Sequence, residues 1–306
     1  MPNSLKPSKA RPVKLRPGIT LEQGFIQIAR NCLRQVRANE AGLRHSAEAE
    51  FVHQMRVGLR RLRSALVLFK PWIAPPPALL AELAWLGQRL GAARDAEVLA
   101  GSTLPNLMAL GPSEDLQVLL HISVTTAKRR RGAAARTLKT ERYQALVKQL
   151  EQWLKACSWR ADAPRPTALG ESLAPAAAAM LRRRKKKLRA AALKAQAQPS
   201  AAARHQLRIA VKKMRYANEF FGTLEAAKGK ATLAQLSALQ DLLGQNNDAE
   251  VARLLLLDLA QAQPALLEQA AFARGMLWAQ SQQRIASLGP LLRGLGLERV
   301  GPSAST

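Results

Sequence analysis

Aromatic residues are scarce in this chain, 4% of 306, so a platform of stacked rings for nucleobases has little to be built from. Acidic residues are scarce as well: 21 Asp and Glu stand against 47 Lys and Arg, a formal net charge of +26. The compact state therefore carries strong self-repulsion that a polyanion would relieve, which points to a phosphate-rich partner. Cysteine is limited to Cys32 and Cys157. They form neither a CxxC nor an even framework, which argues for a reducing compartment and against structural zinc. No run approaches the length of a membrane span, so membrane insertion is not expected. The first 18 residues carry Lys6, Lys9, Arg11, Lys14 and Arg16 but no apolar core of a leader, so no secretory signal is expected. The phosphate-cradling GxxxxGK[ST], the GxSxG elbow and any His/Cys cluster of metal-ligand spacing are missing too, which leaves nucleotide hydrolysis and covalent catalysis without a sequence basis. The expectation is a cytoplasmic binding protein with no cofactor and no enzymatic activity.

What is present is a basic pattern written twice. In His53-Gln-Met-Arg56-Val-Gly-Leu-Arg60-Arg61-Leu-Arg63, helical periodicity puts His53, Arg56, Arg60 and Arg63 on one stripe and Met55, Leu59, Leu62, Leu66 and Phe69 on the next. The stretch returns without a gap as His205-Gln-Leu-Arg208-Ile-Ala-Val-Lys212-Lys213-Met-Arg215, an offset of 152 (205 − 53). At the same offset Arg30, Arg34 and Arg37 become Arg182, Lys186 and Arg189. A second motif recurs one residue later: Leu90-Gly91-Ala-Ala-Arg94-Asp95-Ala-Glu97-Val98 answers to Leu243-Gly244-Gln-Asn-Asn247-Asp248-Ala-Glu250-Val251.

Helical spacing runs through the whole chain and no period-two pattern appears, so the fold class is all-α, with two similar helical bundles. Thr20 and Gln23 form a capping box that opens the first helix, and Pro71 ends the second. Set antiparallel, these two helices would bring Arg37 level with His53, Arg34 with Arg56 and Arg30 with Arg60, so that two basic stripes border one surface. Gly91 reads as a helix end and Asp95 as the cap of the next helix. Thr140 divides the long segment that follows. The expected organisation is a basic disordered tail over 1–18, a first half over 19–158, a linker over 159–170, a second half over 171–296 and a tail over 297–306.

The two motifs, each present twice in order, resemble the CHAD family, the histidine-bearing α-helical domain, over nearly all of residues 20–295. The resemblance implies two four-helix bundles related by a pseudo-twofold around a basic groove or pore, and binding of inorganic polyphosphate. Carried over position by position, it places His53, Arg56, Arg60, Arg61 and Arg63 and their copies His205, Arg208, Lys212, Lys213 and Arg215 at the site. It further implies association with polyphosphate granules. The residue types suit that chemistry, since arginine grips phosphate oxygens bidentately and a flexible polyanion needs many cations on a rigid surface. Two alternatives stand beside it: binding of a nucleic-acid backbone, and an enzymatic or accessory role in polyphosphate metabolism. In the latter, Asp95 with Glu97 and Asp248 with Glu250 would hold Mg²⁺; as helix-start residues they serve more simply as caps.

Overall fold

In the computed structural model, residues 5–110, 114–224 and 230–297 are described. The chain divides into two units, Met1–Ala176 and Ala177–Thr306. Among the described residues there are only helices and turns, apart from one isolated bridge between Thr20 and Ser172.

The first unit begins with α1 (Leu21–Ala38), opened by the expected capping box: Gln23 N donates to Thr20 Oγ1 and Thr20 N to Gln23 Oε1, both at 3.2 Å. A short α2 (Glu40–His45) turns the chain into α3 (Glu50–Phe69), which stops just before Pro71 because proline has no N–H to continue the helical ladder and its ring crowds the carbonyl four residues back. Then comes α4 (Pro77–Val98), followed by one wide turn over Leu99–Thr103 and the short α5 (Leu104–Met108). The break expected between Gly91 and Asp95 does not exist. Helix α4 runs through both, so Asp95 is an interior residue and caps nothing. Thr140 does cap: its Oγ1 accepts from Tyr143 N at 3.3 Å and separates α6 (Glu114–Thr137) from α7 (Glu141–Ala156).

Phe25, Phe69, Trp153 and Trp159 lock α1, α3 and α7 together, with ring centroids 4.8 to 5.8 Å apart. The stretch 159–170, expected as a linker, is anchored to this unit. Trp159 is buried and donates from Nε1 to Glu22 Oε1 at 3.0 Å, and Leu169 is buried as well. The described part of the basic N-terminal stretch also differs from a disordered tail, since Val13 and Leu15 are buried and Ser8 N donates to Asn39 Oδ1.

The second unit is built from α8 (Leu173–Ala197), inside whose first turns the division falls, α9 (Ala201–Phe221), α10 (Lys230–Ala262), α11 (Leu267–Ile285) and α12 (Leu288–Gly294). Its core is aliphatic with two phenylalanines, Leu207, Val211, Phe220, Phe221, Leu239, Leu256 and Leu277 being fully or nearly fully buried. Asp248 again lies inside a helix, α10, where the sequence suggested a start. The final helical segment is broken at Ala286–Ser287 into α11 and α12. Beyond Leu297, which is buried, the expected C-terminal tail lies outside the described residues.

Candidate functional site

Helix α3 has two sides with opposite duties. On one, Gly58 lies against α1 so closely that a Cβ there would stand 3.0 Å from Val36 Cγ2 and 3.2 Å from the Cys32 carbonyl oxygen. Beside it Gln35 Nε2 donates to Gln54 Oε1 at 2.9 Å. This is the antiparallel register expected, with Arg34 level with Arg56. At 100° per residue, however, His53, Arg56, Arg60 and Arg63 point away from Gly58 and so away from α1. Arg30, Arg34 and Arg37 likewise point away from Cys32 and Val36. The two basic stripes therefore flank the α1–α3 pair on opposite sides and do not border one surface. Arg30 and Arg34 are exposed, while Arg37 is held by Glu40 and Glu151.

Arg61 is not at the surface at all. It is 0% exposed, inside the α1–α3 seam, where its guanidinium donates to Asn31 Oδ1 at 3.2 Å and Gln35 Oε1 at 2.9 Å. A side chain so enclosed contacts no polyanion, which removes it from the site predicted from the motif.

The outward stripe of α3 faces α4, and α4 is shaped for it. Gly91 seats the Arg56 guanidinium: a Cβ at that position would collide with Nη1 of Arg56. One turn earlier, a Cβ at Gly87 would stand 3.4 Å from Nη1 of Arg63. Asp95 Oδ1 lies 3.7 Å from Arg56 Nη2, and Glu97, pulled inward, accepts from Arg131 Nη1 at 2.8 Å. Arg131 also donates to the Ser46 carbonyl at 2.6 Å. Burial raises the Glu97 carboxyl above its ordinary range in spite of Arg131 and Arg94.

His53 sits among Arg94, Glu50, Arg60 and Arg56. Burial, and then the charge of Arg94, Arg60 and Arg56, holds its imidazole below the ordinary histidine value, with Glu50 opposing. Arg94 was not singled out from the sequence as a site residue, although its place in the Gly91-to-Val98 motif was the available signal. Among the described residues Arg30, Arg34, Arg60 and Arg63 pair with no carboxylate.

In the second unit, α9 presents its stripe to α10. His205 Nδ1 lies 3.3 Å from Asn247 Oδ1, the residue standing where the first unit has Arg94. Arg215 Nε donates to Gln240 Oε1 at 2.7 Å and its guanidinium lies 5.1 Å from the centre of the Tyr216 ring. Arg208 and Lys212 are half-buried. Lys213, the counterpart of Arg61, faces α8: burial, with repulsion from Arg184 and Lys187, lowers its ammonium below the ordinary lysine value. On α8, Arg182, Lys186 and Arg189 are exposed. Among the described residues no group of three His, Cys, Asp or Glu is placed to hold a metal ion, and no helix is long and apolar enough to cross a membrane.

Residues 27–257 match the CHAD domain. The chain belongs to the CHAD family. A CHAD domain from the plant Ricinus communis, known from a crystal structure, superposes with a TM-score of 0.86 at 37% identity, covering 97% of this chain and 98% of that one. PptA from Streptomyces chartreusis shares the fold at a TM-score of 0.65 and 18% identity, over 92% of this chain and 100% of its own. No match was found among curated proteins. The CHAD family is associated with polyphosphate binding in general. In this CHAD chain the motif histidine and three of the four motif arginines of the first half stand on the surface shared by α3 and α4.

Proposed function

We propose that this chain binds inorganic polyphosphate through the outward stripes of α3 and α9, and that this binding carries it to polyphosphate granules in the cytoplasm. The observation that supports the reading best is the α3–α4 surface. It gathers His53, Arg56, Arg60, Arg63 and Arg94 on rigid helices, with Gly87 and Gly91 cleared to receive two of the guanidinium groups. Arg60 and Arg63 have no carboxylate partner among the described residues, so their charge is left for a polyanion. The α9 stripe supplies His205, Arg208, Lys212 and Arg215 in the same order. The Lys212 ammonium replaces the planar guanidinium fork of Arg60 there, which makes this stripe the weaker phosphate binder.

The protein acts by binding and not by catalysis. Asp95 and Glu97, the carboxylates a Mg²⁺ mechanism would recruit, are turned toward Arg56 and Arg131. Incubation with Mg²⁺ and size-defined polyphosphate leaves chain length unchanged on this reading, and steady release of orthophosphate contradicts it. Binding itself is tested by titrating polyphosphate into the wild type and into Arg60→Ala with Arg63→Ala. The variant is expected to keep its fold and bind more weakly, and equal affinities would place the site elsewhere.

A further inference from the structure

The second unit contains a cavity of about 420 Å³ between α9, α10 and α11, the size of an ordinary small-molecule site. Two polar side chains deep in its wall have no partner. Asn246 is 6% exposed and neither its amide oxygen nor its nitrogen makes a hydrogen bond, and Ser281, 4% exposed, leaves its hydroxyl unpaired. Buried polar groups are normally satisfied, so such orphans in a cavity wall mark where a ligand's own polar atoms belong.

The first unit shows what this place looks like when it is closed. Counted at the motif offset of 153 (248 − 95), Asn246 stands where the first unit has Ala93 and Glu250 where it has Glu97. The buried positions of α11 follow those of α6 at 154 (270 − 116), which sets Ser281 in the place of Ala127 and Ile285 in that of Arg131. In the first unit Ala96, Ala100 and Ala127 pack together and Arg131 closes the space by bridging Glu97 to the Ser46 carbonyl. In the second, Glu250 has no arginine at that position and pairs instead with Arg253, at 3.1 Å. Alanines have become an amide and a hydroxyl, and the plug has become an isoleucine.

We propose that this cavity binds a nucleoside phosphate. Leu243, Val251 and Leu254 line it, and inorganic phosphate has no apolar surface to set against them, so the ligand has an organic body. Asn246 offers an acceptor and a donor side by side, the complement of a nucleobase edge such as that of adenine. Arg204 and Arg208 lie on the same wall as His205, where they meet the phosphate end. The proposal stands apart from the polyphosphate reading, sharing only the Arg208 and His205 end.

Because a chain of this charge attracts any polyanion, neutral adenosine is the decisive probe, with ATP and tripolyphosphate beside it in calorimetric titrations of the full chain. Adenosine is expected to bind, and ATP to bind at least about tenfold more tightly than adenosine through its added phosphates. Asn246→Leu is expected to abolish adenosine binding, leave tripolyphosphate and long-chain polyphosphate affinity unchanged, and raise the melting temperature because an unpaired amide is removed. Ser281→Ala, a smaller change, weakens adenosine binding without loss of fold. Absence of adenosine binding to the wild type overturns the proposal. So does adenosine binding that survives Asn246→Leu, or a lowered melting temperature in that variant, which would make Asn246 a structural residue. Loss of long-chain polyphosphate binding in the wild type, with adenosine binding intact, contradicts only the proposed function.

Discussion

His53 resists protonation because burial removes solvent from the imidazolium and Arg94, Arg60 and Arg56 repel it. A bound polyanion reverses the repulsion. NMR titration is expected to show the His53 imidazole below its ordinary value of about 6.5 in the free protein and higher once polyphosphate is added. No upward movement would contradict contact between the stripe and the polymer. The sign for stability follows from linkage: as pH falls below about 6.5 the unfolded chain takes up a proton that folded His53 refuses, so stability drops until the pH passes the folded value. His53→Asn is expected to flatten that part of the stability profile, measured by urea unfolding at several pH values.

Arg61 calls for a different experiment. Arg61→Met leaves Asn31 and Gln35 without their donor and is expected to cost about 1–3 kcal/mol of stability while polyphosphate binding keeps its salt slope. A lost slope with unchanged stability would return Arg61 to the site. The sequence held the clue to its burial: Gly58, Arg61, Ala65 and Leu68 share the inward face of α3, and Asn31 and Gln35 supply matching amides one turn apart. The family motif drew attention to the charge instead of the face.

At the level of the helices, α4 depends on two glycines that are there for the arginines beside them. Gly91→Ala raises helix propensity by about 1 kcal/mol, and its Cβ displaces the flexible end of Arg56 without disturbing any backbone. The expected result is a protein at least as stable as wild type that binds polyphosphate more weakly. Unchanged binding would show that the seat of Arg56 is irrelevant to the site. This is also where the sequence misled. A glycine followed by Arg-Asp-Ala-Glu has the look of one helix ending and another beginning, and the local signals for a cap are the same residue types that serve an interior ion pair. The α1–α3 register was legible because a short connection between antiparallel helices leaves little choice. Which side of α3 met α1 was not, since the basic stripe borders the apolar one and only the close approach at Gly58 decides between the flanks.

For the chain as a whole, a net charge of +26, from 47 Lys and Arg against 21 Asp and Glu, predicts a protein that gains stability from its ligand. At a polyphosphate concentration about 100 times Kd the gain is about 2.7 kcal/mol, readable as a higher melting temperature that fades with added salt. Arg56→Ala with Arg208→Ala is expected to lower the salt slope of binding by somewhat under about one per lost phosphate contact. Helical spacing made the all-helical class readable from sequence, and the doubled motif made the basic stripes of α3 and α9 readable. The differences between the copies were harder to see, because Asn246 and Ser281 look like ordinary polar residues until the cavity beside them is known.

Selectivity for a phosphate polymer over other polyanions is read by competition. With labelled long-chain polyphosphate bound, double-stranded DNA is added at equal phosphate concentration and matched salt. The polyphosphate is expected to stay bound and, in the reverse experiment, to strip DNA from the protein. Displacement of polyphosphate by DNA would contradict that selectivity.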